Sequence, residues 1–158
     1  YLPVRAVGNA LGQDVSWNGS TKTVYIGMNE TDTKTKKLTP YETRNGMTVM
    51  ESNGYTVTMM GKTYTQGLIA KHSGGENALY NLDGLYKSVE MDIGHLDDTA
   101  RQEGVLNFYV DGELTDTYAL EGEMTTKHIK VDLNRGLQLK IEKAGYGNYA
   151  FCNITFNK

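Results

Sequence analysis

Five Asn-Gly or Asp-Gly dipeptides punctuate this sequence, and they constrain its fold more than any other feature. They are Asn18-Gly19, Asn45-Gly46, Asn53-Gly54, Asp83-Gly84 and Asp111-Gly112. Such dipeptides adopt the left-handed backbone that tight two-residue turns require. The segments beside most of them are short, alternate apolar with polar residues, and are rich in Val, Thr and Tyr. This pattern predicts strands joined by tight turns.

From Leu38 onward every local signal is β. The predicted strands recur every roughly 8–12 residues with no helical run between them, which favours an antiparallel β-sandwich. They cover residues 48–50, 55–59, 77–82, 86–93, 105–110, 113–120, 127–133, 137–142 and 149–156. The strongest hairpin signal is Asp111-Gly112, between the fifth and sixth of these segments.

Alternation along two of the strands predicts which side chains face the core. Leu106, Phe108 and Val110 are expected to point inward. On the last strand the predicted shared face is Ala150, Cys152, Ile154 and Phe156, opposite Tyr149, Phe151, Asn153 and Thr155. Cys152 is the single cysteine, which excludes an internal disulfide. With no His or basic residue beside it in sequence, it is predicted to be a small buried hydrophobe rather than a nucleophile.

The first 30 residues follow a different pattern. Pro3 suits the first turn of a helix, apolar residues follow at helical spacing, and Gly12 suits a left-handed helix end. Val15 and Trp17 then alternate with polar neighbours before the Asn18-Gly19 turn. A short helix followed by a β-hairpin is therefore predicted for residues 1–30. Residues 31–37 are polar and of mixed charge, which predicts a linker ahead of a sandwich over residues 38–158.

Charge and apolar patterning exclude several classes of partner. The chain has 16 basic and 19 acidic side chains and a formal net charge of −3. This balance lacks the excess of basic residues that is typical of proteins that bind nucleic acid. Apolar runs are far too short for insertion into a membrane. Because the sequence starts at Tyr1, in mid-pattern, we expect it to be part of a longer protein, so that missing targeting signals carry no information.

No catalytic or metal-binding constellation stands out, so the chain is not expected to be an enzyme. His72, His95 and His128 lack the spacing of metal ligands. The acidic pair Asp97 and Asp98 falls in a predicted loop, where a solvated turn is the simplest interpretation. Calcium is the one metal considered there, because carboxylate and carbonyl oxygens are its ligands. Otherwise no cofactor is expected.

Tyrosine is in excess, with 11 Tyr against 3 Phe and 1 Trp. Most are expected to pack on sheets. The segment from Tyr146 through Asn148 to Tyr149 is the candidate for a ligand-binding loop, because two aromatic rings and an amide share a loop with Gly145 and Gly147. Tyrosine rings stack on sugars, and glycine lets the backbone approach a ligand. The alternative is an ordinary hairpin tip.

The N-terminal segment resembles the closing half of the copper amine oxidase N-terminal-like domain, also called the stalk domain of bacterial surface proteins. The resemblance rests on Tyr1, Pro3, Val4, Arg5, Leu11, Gly12, Val15, Trp17 and residues 21–26. It implies a partial stalk domain over residues 1–30. None of the copper ligands of the oxidase is seen in this segment.

The remainder resembles the NPCBM family of carbohydrate-binding modules (NPCBM/NEW2-like), grouped with carbohydrate-binding module family 51. The resemblance rests on Met60-Gly61-Lys62, Tyr64-Thr65-Gln66-Gly67-Leu68, Tyr80-Asn81-Leu82-Asp83-Gly84, Tyr86-Lys87, Ile93-Gly94-His95-Leu96-Asp97, Val110-Asp111-Gly112 and residues 137–141. It implies a galactose-binding-like jelly-roll sandwich. It also implies that loops at one end bind terminal sugars, often of the galactose type.

Two departures from the family pattern bear on the sugar site. His72 follows Lys71 where the family has Gly-x-x-x-His-Ala, and the last loop lacks the Trp that many members carry. His72, Asp97 and Tyr146 are the first candidate ligand-binding residues, joined by Asn148 and Tyr149; Asp97 and Asp98 are the candidates for a metal.

Two functions remain open from the sequence. The first is a non-catalytic carbohydrate-binding module of a secreted or cell-surface bacterial protein, with glycans or cell-wall and host polysaccharide as partners. The second is a structural or adhesion module that acts as a spacer or docks other domains of the parent protein. The missing Trp favours the second function, whereas the sandwich motifs fit both.

Overall fold

The computed structural model describes residues 6, 7, 10, 15–20, 22–26, 35–71 and 74–158. The chain divides into two units, Tyr1–Thr35 and Lys36–Asn157. In the first unit, β1 (Val15–Asn18) pairs antiparallel with β2 (Thr23–Ile26). Ala6, Val7 and Ala10 are helical. The predicted helix and hairpin are thus confirmed where the structure describes them, and the ends of the helix lie outside the described residues.

The second unit is built almost entirely of strands. In chain order they are β3 (Glu42–Arg44), β4 (Thr48–Val49), β5 (Val57–Met59), β6 (Lys62–Tyr64), β7 (Gly67–Ala70), β8 (Glu76–Asn81), β9 (Ser88–His95), β10 (Gly104–Val110), β11 (Glu113–Leu120), β12 (Lys127–Asp132), β13 (Gln138–Gly145) and β14 (Tyr149–Asn157). One short helix, α1 (Met50–Asn53), lies between β4 and β5.

These strands form two five-stranded antiparallel sheets and one small hairpin. The first sheet has the order β11-β10-β13-β8-β3, the second β12-β9-β14-β7-β4, and β5 pairs with β6. Asp111 and Gly112 both have positive φ, at 52° and 87°, and join β10 to its neighbour β11. The predicted hairpin is confirmed. Asp83-Gly84, by contrast, lies between β8 and β9, which belong to different sheets.

The main core fills the space between the sheets. Leu106 and Phe108 are fully buried in it, and Val110 packs against it from the end of β10. The predicted inward face of this strand is confirmed, because no bulge interrupts its register with β13.

The predicted face of the last strand is wrong. Three steps along β14 from Cys152 to Thr155 match two steps along β9 from Asp92 to Glu90, so β14 carries one extra residue. Asn153, at φ 52°, is the residue with left-handed backbone in this bulge. A bulge exchanges the faces of the residues beyond it. Tyr149 and Phe151 therefore share the main core with Ile154 and Phe156.

A second core lies on the outer side of the second sheet, beneath α1 and the β5–β6 hairpin. Its members are Met50, Val57, Met59, Tyr64, Ile69, Leu96, Ala150 and Cys152. Cys152 is fully buried, and burial raises the pKa of its thiol to about 12. The prediction of a buried, unreactive cysteine is confirmed.

Helix α1 was not predicted, and the interpretation of Asn53-Gly54 as a hairpin turn is wrong. Gly54 has φ 64°, and the Tyr55 N–H donates to the Met50 carbonyl at 3.1 Å. The dipeptide ends a helical turn, since the left-handed residue that suits a hairpin also ends a helix.

Strand pairing begins inside the segment predicted as a linker. Lys36 forms an antiparallel bridge with Phe156, with backbone hydrogen bonds of 2.8 and 2.7 Å. The linker is therefore shorter at this end than predicted. In the described part of the chain, no helix has the length and apolarity needed to cross a membrane.

Candidate functional site

The registers of the two sheets bring four loops to one end of the sandwich. Tyr149 lies opposite both Ala70 and His95, and Gly104 lies opposite both Leu120 and Gly145. The described ends of the β7–β8 connection, Lys71 and residues 74–75, therefore meet the loops over residues 96–103, 121–126 and 145–148 at what we call the loop end. The sequence resemblance implies a sugar site in this kind of place.

A cleft of about 630 Å³ opens at the loop end. Its walls come from the turn between β5 and β6, the loop over residues 96–103, and the loop over residues 121–126. Its polar lining residues include His95, Asp97, Asp98, Thr99, Arg101 and Glu123. We call this the loop-end cleft. It joins hydroxyl, imidazole, guanidinium and carboxylate groups within a volume that accommodates a small ligand.

Asp97 holds two walls of the cleft together. Its carboxylate accepts hydrogen bonds from the backbone N–H groups of Met60 and Gly61, both at 2.8 Å. Its own N–H donates to the Thr58 carbonyl at 3.0 Å. Met60 and Gly61 form the β5–β6 turn with positive φ, so Asp97 satisfies the amides of that turn. The predicted site residue lines the cleft and fixes its shape.

We expect Asp97→Ala to lower the free energy of unfolding by about 1–3 kcal/mol, because two backbone donors lose a charged acceptor. Urea unfolding measures this loss. Asp98→Asn is the matched control, since the neighbouring Asp98 side chain is exposed, does not hold the β5–β6 turn, and has a positive φ that asparagine tolerates, so this substitution should change stability little. Equal effects of the two substitutions would contradict the assigned role of Asp97.

His95 and Thr99 form the floor of the cleft. The His95 Nε2 lies 3.0 Å from the Ala100 carbonyl oxygen, which only accepts, so this nitrogen carries a proton. In the neutral ring Nδ1 is then an acceptor. The Thr99 hydroxyl donates to the Leu96 carbonyl at 2.8 Å. The imidazole also packs edge-on against the Tyr149 ring, with centroids 5.3 Å apart, which fixes its orientation.

Arg101 and Glu123 pair across the outer rim, where both side chains are about three-quarters exposed, at 71% and 74%. Their loops are in backbone contact: a Cβ on Gly122 would lie 2.8 Å from the Arg101 carbonyl carbon and from the Gln102 nitrogen. This close approach brings the two rim residues together. An exposed pair of this kind contributes little stability, so both groups are available to hydrogen-bond a polar ligand.

The interpretation of Tyr149 as a ligand-binding ring is wrong. Its side chain is fully buried, and its hydroxyl lies within hydrogen-bonding distance of the Gln102 and Leu120 carbonyl oxygens. Burial raises the pKa of this hydroxyl to about 12. A ring in that position cannot stack on a sugar; it anchors the cleft loops to the core instead.

Tyr146 and Asn148 lie at the loop end but outside the cleft lining. Tyr146 is 62% exposed and its N–H donates to the Glu103 carbonyl at 3.0 Å. Asn148 is half-buried and its carbonyl accepts from the Leu96 N–H. His72 lies outside the described residues. The stacking role of Tyr146 stays a prediction.

Sequence reasoning did not select His95, Thr99, Arg101 or Glu123 as a set. His95 and Asp97 stand in one motif of the family resemblance, whereas Glu123 belongs to none of its motifs. The sequence signal that could have indicated this site is the run of polar residues directly after the strand that ends at His95. What brings Glu123 to this run is the pairing of β11 with β10, which no local pattern reveals.

No group of three or more His, Cys, Asp and Glu side chains suited to a metal occurs among the described residues. Both Asp97 oxygens already accept backbone hydrogen bonds. A calcium ion at this loop would therefore be bound by the carboxylate of Asp98 and by backbone carbonyl oxygens.

A separate polar network lies on the outer face of the second sheet. The His128 Nδ1 lies 2.9 Å from an Asp92 carboxylate oxygen, and the Asn153 amide donates to the other oxygen at 2.8 Å. The hydrogen bond with Asp92 raises the pKa of His128. Burial raises the pKa of Asp92, but the hydrogen bonds from His128 and Asn153 outweigh it and leave the pKa lowered.

These shifts predict a pH dependence of stability. Because the His128 pKa is raised on folding, its contribution is complete below its unfolded pKa, near 6.5, and is lost as pH rises through the folded value. The His128 side chain is 62% exposed, so we expect a loss of only a few tenths of a kcal/mol between about pH 6 and 8. Urea unfolding at the two pH values measures it. His128→Gln should remove that part of the slope, and an unchanged slope would refute the assignment.

Comparison with known proteins places this fold. Residues 13–153 match the NPCBM/NEW2 domain. No curated protein is significantly similar to the chain. Among solved structures, the CBM51-2 and INT domains of Clostridium perfringens ZmpB give a TM-score of 0.65 at 16% identity, covering 79% of this chain and 32% of that one. This chain thus spans about a third of that relative.

Two further structures share the fold. CBM51 of Clostridium perfringens GH95, in complex with methyl-galactose, gives a TM-score of 0.60 at 20% identity and covers 76% of this chain and 95% of that one. The tandem CBM51 modules of Sp3GH98 from Streptococcus pneumoniae give 0.52 at 12% identity, covering 91% and 44%. The predicted galactose-binding-like sandwich is confirmed. By its match over most of its length, the chain belongs to the NPCBM/NEW2 domain family.

Proposed function

We propose that this chain is a non-catalytic carbohydrate-binding module of a secreted or cell-surface bacterial protein. In this proposal the loop-end cleft binds the terminal sugar of a glycan, of the galactose type. The observation that carries it is the cleft itself, a polar depression formed by end loops in a member of the NPCBM/NEW2 domain family. Its partners would be glycans or polysaccharide of a cell wall or host surface, together with other domains of the parent protein.

The chemistry of the cleft supports this ligand class. Sugar hydroxyls both donate and accept, and the cleft offers Arg101 as a donor and Glu123 as an acceptor. Its volume of about 630 Å³ leaves room for more than one sugar ring. Two solved structures with the same fold point the same way: one is a complex with methyl-galactose and another a complex with GlcNAc.

Binding at one such site is expected to be weak. A shallow cleft with a mainly polar lining corresponds to a Kd of roughly 0.1–1 mM, about 4–5.5 kcal/mol. Several copies on one surface would gain strength through multivalency.

A second candidate function is a structural or adhesion module without a sugar site. The observation that favours it is the cleft lining, since none of the described residues around the cleft is Trp, Tyr or Phe. Stacking on a sugar would then depend on Tyr146 from the neighbouring loop. On this proposal the segment 1–30 is a stalk-type spacer of the copper amine oxidase N-terminal-like kind, and the sandwich docks another domain.

A glycan array followed by calorimetric titration of any hit distinguishes the two functions. We expect Arg101→Met to weaken binding of a galactoside about tenfold, because a charged donor to a sugar hydroxyl is lost. Arg135→Met, at the opposite end of the sandwich, is the matched control and should leave the Kd unchanged. Tyr146→Ala tests the predicted stacking residue separately. Absence of binding to every sugar at millimolar concentration would refute the module and favour the spacer.

We further propose that folding needs no metal ion. Since both Asp97 oxygens are engaged by backbone amides, chelation of divalent cations by EDTA is expected to leave the Tm unchanged. A lowered Tm that calcium restores and Asp98→Asn abolishes would instead establish a calcium site at this loop.

A further inference from the structure

A smaller cavity lies apart from the loop-end cleft, beside the edge strand β4. Its volume is about 240 Å³, and it is lined by Gly46, Thr48, Tyr55, Thr56, Ile69 and Lys71. None of these residues lines the loop-end cleft. Cavities for drug-sized ligands have volumes of roughly 300–1,000 Å³, so this one suits a single sugar ring. We call it the edge pocket.

Strand pairing fixes one side of the edge pocket. Thr48 on β4 lies directly opposite Ile69 on β7 in the second sheet. Ile69 is 4% exposed and belongs to the second core, so the floor of the pocket is apolar and fixed. The Asn45 side chain donates to the Gly75 carbonyl at 2.9 Å, which ties the loop before β4 to the residue directly ahead of β8. The floor and the β4 side of the pocket are therefore fixed by strand pairing and packing.

Tyr55 supplies an aromatic wall. Its side chain is 53% exposed, whereas its backbone is held by the hydrogen bond from its N–H to the Met50 carbonyl at the end of α1. A ring that is fixed at its base and open on its surface suits stacking on the apolar face of a sugar. The loop-end cleft has no such ring among its described lining residues.

Lys71 is the one charged residue among the described residues that line the edge pocket. It follows β7 at the loop end, and its side chain is exposed. No ion pair joins Lys71 to an acidic side chain in the part of the chain that the structure describes. The described lining of this pocket therefore carries the positive charge of Lys71 and includes no acidic group. An anionic ligand would complement this charge.

We infer that the edge pocket is a second carbohydrate site, selective for a monosaccharide unit that carries an anionic group. Tyr55 stacks on the ring, the Thr48 and Thr56 hydroxyls bond its hydroxyl groups, and Lys71 pairs with its carboxylate or sulfate. The Thr48 hydroxyl already donates to the Gly46 carbonyl at 3.2 Å, so toward the sugar it acts as an acceptor. The inference rests on the proposed function in one respect, namely that the ligand is a carbohydrate.

Calorimetric titration of the 158-residue chain tests this site with three probes of one ring configuration: methyl glucuronide, glucose 6-sulfate and the neutral methyl glucoside. We expect methyl glucuronide to bind about fivefold more tightly than methyl glucoside, with the preference reduced at high salt. The sulfate probe shows whether a carboxylate is required. Equal affinity for the charged and neutral sugars would overturn the inference.

Variants assign the effect to the pocket. Lys71→Met should abolish the preference for methyl glucuronide and Lys71→Arg should retain it, whereas Lys87→Met, an exposed lysine at the opposite end, should change nothing. Tyr55→Ala should weaken both sugars, with circular dichroism confirming the fold. Loss of galactoside binding in Arg101→Met with glucuronide binding intact would separate the two sites. An unchanged preference in Lys71→Met would refute the edge pocket whatever the loop-end cleft binds.

Discussion

Lys143→Met is expected to lower the free energy of unfolding by about 3–5 kcal/mol. Lys143 on β13 lies directly opposite Glu76 on β8, and both side chains are fully buried. The Lys143 Nζ lies 3.2 Å from a Glu76 carboxylate oxygen and donates to the Gly145 carbonyl at 3.0 Å. Removing the ammonium group takes the Lys143 charge away from a buried carboxylate, and breaking one side of a buried ion pair costs far more than the pair contributes.

Urea unfolding of three variants tests this expectation. Lys140→Met is the matched control, because Lys140 lies on the same strand but pairs with Glu142 at the partly exposed surface, and we expect a loss below about 1 kcal/mol. The double variant Lys143→Met with Glu76→Leu should recover much of the loss, since no buried charge remains at this position. A loss in Lys143→Met as small as that in Lys140→Met would contradict a buried, charged pair.

Gly67→Ala is expected to have a comparable effect, about 3–5 kcal/mol, or to prevent folding. Gly67 begins β7 with φ 136°, and a Cβ there would lie 2.1 Å from the Phe151 carbonyl oxygen and 2.8 Å from the Cys152 Cα. Both atoms belong to the backbone of β14 just ahead of its bulge, so no change of rotamer relieves the clash. The Gly67 N–H also donates to the Glu51 carboxylate at 3.1 Å, which ties α1 to this point.

Gly54→Ala is the control that separates the clash from the cost of positive φ. Gly54 has φ 64°, but no heavy atom of the described residues lies within 4 Å of the position that a Cβ would take there. We expect this variant to lose about 1 kcal/mol. Thermal and urea unfolding of both variants give the comparison. If Gly67→Ala lost no more than Gly54→Ala, the close packing of β7 on the bulge would be wrong.

Local sequence patterns were sufficient for much of the sandwich. Alternation with period two gave the inward face of β10, where Leu106 and Phe108 are buried, because the strand is regular along its pairing with β13. The same rule failed on β14. One extra residue at Asn153 exchanges the faces beyond it, and the sequence has no Gly or Pro there to mark the bulge.

Turn dipeptides predicted that the chain turns but not what it joins. Asp111-Gly112 forms a hairpin, Asn53-Gly54 ends a helix, and Asp83-Gly84 lies between two sheets. Left-handed backbone is common to all three uses, so the difference depends on tertiary packing. The short helix α1 was missed because its four residues show no helical periodicity.

The candidate site was predictable only in part. Asp97 was selected through a family motif and lines the cleft, although its carboxylate holds the β5–β6 turn. Tyr149 was selected as an aromatic residue of a loop that contains two glycines, and its burial follows from the pairing of β14 with two neighbours. Glu123 meets Arg101 only because β11 pairs with β10, a long-range contact that residue spacing does not encode.

The central claim, that the loop-end cleft binds a terminal sugar, is tested most directly by titrating the ¹⁵N-labelled chain with methyl galactoside and following the backbone amide resonances. The account predicts saturable shifts at a Kd of roughly 0.1–1 mM, concentrated at Met60, Gly61 and residues 95–101 and 122–124. Shifts confined to other surfaces, or no saturable shift at concentrations of about 10 mM, would contradict it.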